Sequence, residues 1–163
     1  MRIAYLIGTL VVAYGTLGLA ACGPAEKARL DPDDLSHLDK FVAFYPREVG
    51  LLTDPALDRR LAAMMGEPEL AAMQQSWQTE GPILREQDVI SASGCMDNNC
   101  AAVGYILYVD LANDNINVYA FIDGEMMSYD ETGPIELPPG LAAEFEVEKQ
   151  NRLNLPAAPD AEP

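Results

Sequence analysis

The sequence predicts an α+β fold in which helices pack on an antiparallel β-sheet. Apolar residues recur at helical spacing in the first half of the chain, as far as Trp77. After Gly81 and Pro82 the spacing changes to the alternation that is typical of β-strands. The Asp123-Gly124 pair indicates a tight hairpin turn, which joins antiparallel strands. Helices followed by strands with short turns favour the α+β class.

The first predicted helix begins at a cap provided by Asp33 or Asp34, and Pro46 ends it. Its apolar residues share one face of the helix: Leu35, Leu38, Val42 and Tyr45. We therefore expect this face to lie in the core.

Two more helices are predicted before the sheet. Asp54 can cap the second, Pro55 suits its first turn, and Gly66 suits the position after its end. Pro68 opens the third. The apolar positions of the two helices are Leu57, Leu61, Met64 and Met65 in the second, and Leu70, Met73 and Trp77 in the third.

Three strands are predicted at residues 83–93, 103–111 and 116–123, with Asn113-Asp114-Asn115 as the turn between the last two. Both faces of the middle strand are apolar, so we expect it to lie at the centre of the sheet with both faces covered. One face carries Val103, Tyr105, Leu107 and Val109, and the other carries Ile106 and Tyr108.

The chain after the third strand predicts one more strand and one more helix. The Asp123-Gly124 turn leads to a short strand at about residues 125–129. Pro138-Pro139-Gly140 then precedes a final helix over about residues 141–153.

The N-terminal residues are typical of an export signal, because Arg2 precedes an uncharged apolar stretch over residues 3–21. The stretch ends in Leu19-Ala20-Ala21-Cys22, which resembles the lipobox of bacterial lipoproteins. The resemblance implies cleavage before Cys22 and attachment of acyl chains such as palmitate to that cysteine, which anchors the protein in a membrane. An uncleaved transmembrane anchor is the alternative, since about nineteen uncharged residues can just span a bilayer.

These features divide the chain into four parts. We expect a signal peptide at 1–21, the lipidated cysteine and a tether at 22–33, a single α+β domain at 34–153, and a disordered, acidic, proline-rich tail at 154–163. Gly23 after the anchor, where enteric lipoproteins of the inner membrane tend to carry Asp, favours the outer membrane and a domain that faces the periplasm.

The charge of the chain limits the partners to consider. The formal net charge is −16, and Arg2 is the only charged residue before Cys22, so the mature chain stands at −16 − 1 = −17. Such a body repels phosphate backbones, which argues against nucleic acid, and attracts cationic partners. The alternative is that the acidity reflects solubility or habitat alone.

Cys95 and Cys100 are expected to form a disulfide, because exported thiols at this spacing oxidise. The bridge would pin a short loop between two strands and make it rigid enough for recognition. Its residues are Met96, Asp97, Asn98 and Asn99. A zinc site would need more ligands than the two cysteines and the distant His37 supply, and a redox pair normally has two intervening residues. A structural staple with no binding role stays open.

The strand Val89-Ile90-Ser91-Ala92-Ser93-Gly94-Cys95, the four-residue loop and the strand that follows Cys100 resemble the periplasmic inhibitors of vertebrate lysozyme. The resemblance covers roughly residues 35–153 in element order and 88–121 in local pattern. It implies helices on a curved antiparallel sheet, with the loop projecting into the active-site cleft of a lysozyme. The family loop reads Lys-Pro-His-Asp, whereas this chain has Met96, Asp97, Asn98 and Asn99.

No nucleophile motif, phosphate loop, metal motif or haem motif is present, so the sequence predicts no enzyme, no catalytic residue, no metal and no cofactor. His37 is the only histidine, and we expect it on a solvated helix surface. The acidic charge, the pinned loop and the resemblance to the lysozyme inhibitors together predict an envelope-anchored binding protein that acts on a basic cell-wall-active protein such as a lysozyme. A structural or assembly lipoprotein without inhibitory activity is the alternative.

Overall fold

The computed structural model describes residues 33–153 of the chain. The described part begins with a 3₁₀ helix at Ser36–Phe41, followed by helix α1 at Pro46–Val49 and a second 3₁₀ helix at Leu51–Thr53. The prediction of one helix that ends at Pro46 is therefore wrong, because the first helix stops earlier and Pro46 opens the next one.

Pairing with a distant segment explains the early stop. The Ala43 N–H donates to the Ile83 carbonyl, and the Ile83 N–H donates to the Phe44 carbonyl, each at 2.8 Å. Ala43 also has a φ of 71°, which no right-handed helix accommodates. Of the predicted apolar face, Leu35 and Leu38 are fully buried, whereas Tyr45 is 49% exposed.

Helices α2 (Pro55–Met65) and α3 (Glu67–Ser76) form where the sequence predicts them. The Asp54 carboxylate caps α2 by accepting the N–H groups of Ala56 and Leu57. The predicted apolar positions lie in or against the core: Leu57, Leu61, Met65, Leu70, Met73 and Trp77 are buried, and Met64 is partly buried.

Within residues 33–153, the antiparallel sheet has six strands: β1 (Thr79–Glu80), β2 (Leu84–Glu86), β3 (Val89–Cys95), β4 (Val103–Asp110), β5 (Asn115–Ile122) and β6 (Glu125–Asp130). Their order is β1-β3-β4-β5-β6, and β2 also pairs with β3. The predicted α+β class is confirmed. The predicted strand at 83–93 is in fact two strands, since the chain reverses at Gln87, whose φ is 53°. The short β1 was not predicted.

Strand β4 lies at the centre of the sheet and is covered on both faces, as its apolar pattern predicts. Tyr105, Leu107 and Val109 pack in one core with residues of α2 and α3. On the other face Ile106 and Tyr108 pack with residues of the final helix, α4 (Pro139–Leu153). The α4 helix thus crosses the face of the sheet opposite to α2 and α3.

The predicted signal peptide (1–21), Cys22, nearly all of the tether (22–33) and the tail (154–163) lie outside the described residues, and they stay predictions. Within residues 33–153, no helix combines the length and apolarity that crossing a membrane requires.

Candidate binding site

Cys95 and Cys100 form a disulfide, as the sequence predicts, with their Cα atoms 4.8 Å apart. Cys95 is the last residue of β3, and Cys100 lies just before β4. The bridge therefore closes a short loop, residues 96–99, at one end of the sheet. We call these four residues together with the two cysteines the Cys loop.

Backbone hydrogen bonds give the Cys loop a defined conformation. The Met96 N–H donates to the Val103 carbonyl at 3.1 Å, and the Asn99 N–H donates to the Met96 carbonyl at 3.0 Å. The Asn99 carbonyl in turn accepts the N–H groups of Ala102 and Val103, both at 3.0 Å. Asn98 adopts a φ of 58°, a left-handed conformation that asparagine tolerates better than most residues.

The Asp97 carboxylate is occupied by contacts within and beside the loop. Its Oδ1 accepts the Asn98 backbone N–H and its Oδ2 accepts the Asn98 side-chain amide, each at 3.0 Å. The Asp97 N–H donates to Oε1 of Gln78, also at 3.0 Å. The two bonds to the carboxylate fold the negative charge of Asp97 back onto the loop.

The tip of the Cys loop is accessible to a partner. Asp97, Asn98 and Asn99 are exposed, and Met96 is partly buried. Among the described residues, the Asn99 side-chain amide makes no hydrogen bond, so its donor and acceptor can both engage a partner.

Residues from other elements support the Cys loop, and the sequence did not single them out for this role. The Gln78 N–H donates to the Cys95 carbonyl at 2.9 Å, and the Asp123 N–H of the β5–β6 turn donates to the Ala102 carbonyl at 2.8 Å. Arg152 of α4 donates to the Cys100 carbonyl. The available signals were Gly94 and Gly104, since a glycine inside a strand often marks the close approach of another group.

His37 does not lie on a solvated helix face. Its Nε2 lies 2.7 Å from Oδ2 of Asp54, its Nδ1 lies 2.9 Å from the Asp34 carbonyl, and its side chain is 35% exposed. Burial of the Asp54 carboxyl raises its pKa, but bonds from His37, Leu57 and Ala56 outweigh that effect and place the pKa below its ordinary value. The pair therefore stabilises the start of α2.

The described residues contain no group of three or more His, Cys, Asp or Glu side chains that could hold a metal ion. The oxygen-rich segment at 110–115 is instead a turn, as the sequence predicts, in which Asp110 accepts the N–H groups of Ala112 and Asn113 at 3.0 Å. The chemistry offered by the Cys loop is hydrogen bonding through amides, on a rigid projection.

A comparison with known protein families finds a match to the part of the chain that forms the sheet and the Cys loop. The family described as inhibitor of vertebrate lysozyme matches residues 56–150, which is more than half of the chain and includes the sheet and the Cys loop. Searches against curated proteins and against solved structures gave no match. The resemblance expected from the sequence is thereby confirmed, and the chain belongs to the family of inhibitors of vertebrate lysozyme.

Proposed function

We propose that the chain is an envelope-anchored, non-enzymatic protein that binds a basic lysozyme by inserting the Cys loop into its substrate cleft. The observation that carries this proposal is the disulfide-closed loop, exposed at its tip and fixed at its base, on the sheet of a lysozyme-inhibitor family member. A loop that is already ordered loses little conformational entropy on binding, which favours affinity.

The residues of the Cys loop define how it would contact the cleft. A lysozyme cleft carries two catalytic carboxyl groups and polar sugar-binding groups. The Asn99 amide can donate to a carboxyl group and accept from a sugar-site donor. The Asp97 carboxylate bonds to Asn98, so its lone pairs are partly satisfied before a partner arrives. Recognition by this chain therefore rests on asparagine amides. Asn98 stands where the family loop has its histidine, and Asn99 stands where the family loop has its aspartate.

The charge of the molecule supports the same class of partner. The chain has a net charge of −16, so it attracts a basic protein before the two molecules touch. This long-range attraction raises the rate of association. The Cys loop then supplies the specific contact, which governs how slowly the complex dissociates.

The anchor is a separate part of the proposal. The Leu19-Ala20-Ala21-Cys22 sequence supports lipidation of Cys22, which would hold the domain at a membrane, facing the periplasm, with the outer membrane favoured by Gly23. A lipid-anchored inhibitor would meet a lysozyme close to the cell wall that the lysozyme attacks.

The test uses the chain without residues 1–21 and measures how well it binds and inhibits basic lysozymes. We expect Asn99→Ala to speed dissociation about three- to tenfold, the range expected when a net hydrogen bond is lost at an interface. Asp97→Ala removes the carboxylate that accepts two hydrogen bonds from Asn98, so we expect it to speed dissociation as well. Glu69→Ala on α3 is the charge-matched control for Asp97→Ala and is expected to leave dissociation unchanged, because Glu69 is an exposed residue outside the loop.

The absence of binding to several basic lysozymes at low salt, by folded and oxidised protein, would contradict the proposal. Capture of other envelope proteins by the anchored chain would then favour the assembly-lipoprotein alternative.

A further inference from the structure

We propose that Arg152 is a positioning residue that holds the C-terminal half of the Cys loop in its binding conformation. Arg152 lies in the last turn of α4 and is only 7% exposed. Arginine is rarely buried to this extent unless its charge is paired and its donors are used. The consequence for lysozyme binding rests on the function proposed above, whereas the consequence for the loop does not.

The guanidinium of Arg152 joins three parts of the molecule. It donates to the Cys100 carbonyl, which directly follows the disulfide ring. It also donates to the Glu148 carboxylate one turn earlier in α4, with Nε at 2.7 Å from Oε1. Its central carbon lies 5.5 Å from the centre of the Phe121 ring on β5. The Glu148 carboxylate and the aromatic ring fix the guanidinium, and the guanidinium fixes the loop.

The sheet leaves space for this contact at Gly104. A Cβ atom at residue 104 would overlap the Arg152 guanidinium, so the arginine lies directly against the backbone of β4. Cys100 lies four residues before Gly104 in the chain, and the same guanidinium donates to the Cys100 carbonyl. A glycine at this strand position therefore allows the side chain of a helix to reach the base of the loop.

The loop is held from two sides by different groups. Gln78 accepts from the Asp97 N–H on the N-terminal side of the loop, and Arg152 donates to the Cys100 carbonyl on the C-terminal side. Arg152 also lies beyond the range 56–150 that matches the family, so this support comes from the end of the chain's own last helix.

Arg60 provides a matched control within the same molecule. It is also a largely buried arginine, with Nε 2.8 Å from Oε1 of Glu131 and Nη1 2.6 Å from Oδ1 of Asp114. Asp114 lies in the β4–β5 turn, at the end of the sheet opposite to the Cys loop. Loss of Arg60 therefore removes a buried ion-pair group without touching the loop.

The experiment compares Arg152→Met with Arg60→Met, because methionine preserves much of the apolar stem and removes the donors. Amide hydrogen exchange is measured in the free protein, under conditions in which both variants are folded. We expect Arg152→Met to raise the exchange of Ala102 and Val103, whose N–H groups bond to the loop, about tenfold or more. Amides at the centre of β4 should keep their rates, and Arg60→Met should leave the loop amides unchanged.

Two further variants separate positioning from general stability. Arg152→Lys retains a charged donor and should restore part of the protection, whereas Gly104→Ala should reproduce the loss with Arg152 in place, because the added methyl group displaces the guanidinium. With lysozyme, Arg152→Met should raise the dissociation rate about tenfold and change the association rate less than about twofold.

Unchanged loop exchange in Arg152→Met, or an equal change in Arg60→Met, would overturn the proposal. So would normal dissociation of lysozyme from Arg152→Met, if the wild-type protein binds. If Arg152→Met loosens the loop but the wild-type protein binds no lysozyme, the positioning role stands and the proposed function is the part that fails.

Discussion

At the scale of single residues, Gly94 shows how closely the elements beside the loop are packed. It lies in β3 directly beneath the Trp77 indole, and a Cβ atom there would overlap the ring. Trp77 is 3% exposed, so the ring is buried in the core. The contact joins the end of α3 to the strand that leads into the Cys loop.

We predict that Gly94→Ala destabilises the protein by about 1–3 kcal/mol, the usual result of overpacking a core. Gly81→Ala is the control, since the nearest atom to its new methyl group is Oγ of Ser93 at an ordinary 3.6 Å. Urea unfolding measures both variants. Equal stability of the two variants would show that Trp77 moves aside at little cost.

The Asp54 cap makes a second prediction at this scale. We expect Asp54→Ala to lower the free energy of unfolding by about 1 kcal/mol near neutral pH, as is typical for loss of a helix cap. Because the native pKa of Asp54 lies below its ordinary value of 3.8, the charged carboxylate stabilises the fold above that pH. The contribution is lost as the pH falls through the native pKa, so the difference between the proteins should shrink in acid.

Asp54→Asn separates the cap from the charge, because asparagine caps helices as well as aspartate does. It should retain most of the stability near neutral pH and show a weaker pH dependence than the wild-type protein. An Asp54→Ala deficit that is constant from about pH 7 to about pH 2 would contradict a role for the carboxylate charge.

Some of these residue contacts can be predicted from sequence and others cannot. Asp54 and Pro55 are local signals of a helix start, and the cysteine pair is a local signal of a short ring. The bond from Arg152 to the Cys100 carbonyl joins positions 52 residues apart, and nothing in the neighbourhood of either residue indicates it. Such contacts follow from how α4 crosses the sheet, which local patterns do not define.

At the scale of elements, alternation and turn chemistry predicted the central strands and their faces. They failed where tertiary pairing decides the structure. The reversal at Gln87 uses a residue that is not a typical turn former, so residues 83–93 read as one strand. Pro46 reads as a helix stop or as a helix start, and the pairing of Ala43 with Ile83 selects the second role.

The disulfide of the Cys loop makes a prediction about stability at this scale. A ring of this size gives about 2 kcal/mol in the chain-entropy account, less than a long loop would give. We predict that the Cys95→Ala/Cys100→Ala variant loses about that amount in urea unfolding and stays folded, because the sheet and both cores remain. Wild-type protein measured with reductant is the control and should match the variant. A variant with wild-type stability would show that backbone bonds alone maintain the loop.

At the scale of the whole molecule, the net charge of −16 makes a prediction about rates. Association with a basic lysozyme should slow at least tenfold between about 10 and about 200 mM salt, while dissociation changes less than about twofold. Neutralising Glu67 and Glu69 at the far end of α3 should flatten the salt dependence and leave dissociation unchanged. An association rate that ignores salt would show that the acidity serves another purpose.

The lipid anchor is tested on protein recovered from cells. We predict a mature chain that begins at Cys22 and carries acyl chains on that residue, as the lipobox resemblance implies. Mass spectrometry of the N-terminal peptide measures this directly, and a Cys22→Ala variant should lose the acyl mass and the membrane association. An unmodified Cys22, or a retained Met1 segment, contradicts the prediction.

The central claim is that the Cys loop occupies the substrate cleft of a lysozyme. The most direct measurement is the dissociation constant of the complex in the presence of a short oligosaccharide that fills that cleft. If the loop enters the cleft, the apparent constant should rise in inverse proportion to the fraction of lysozyme that is left free of the sugar. A constant that stays the same at saturating oligosaccharide would show that the protein binds elsewhere or not through this loop.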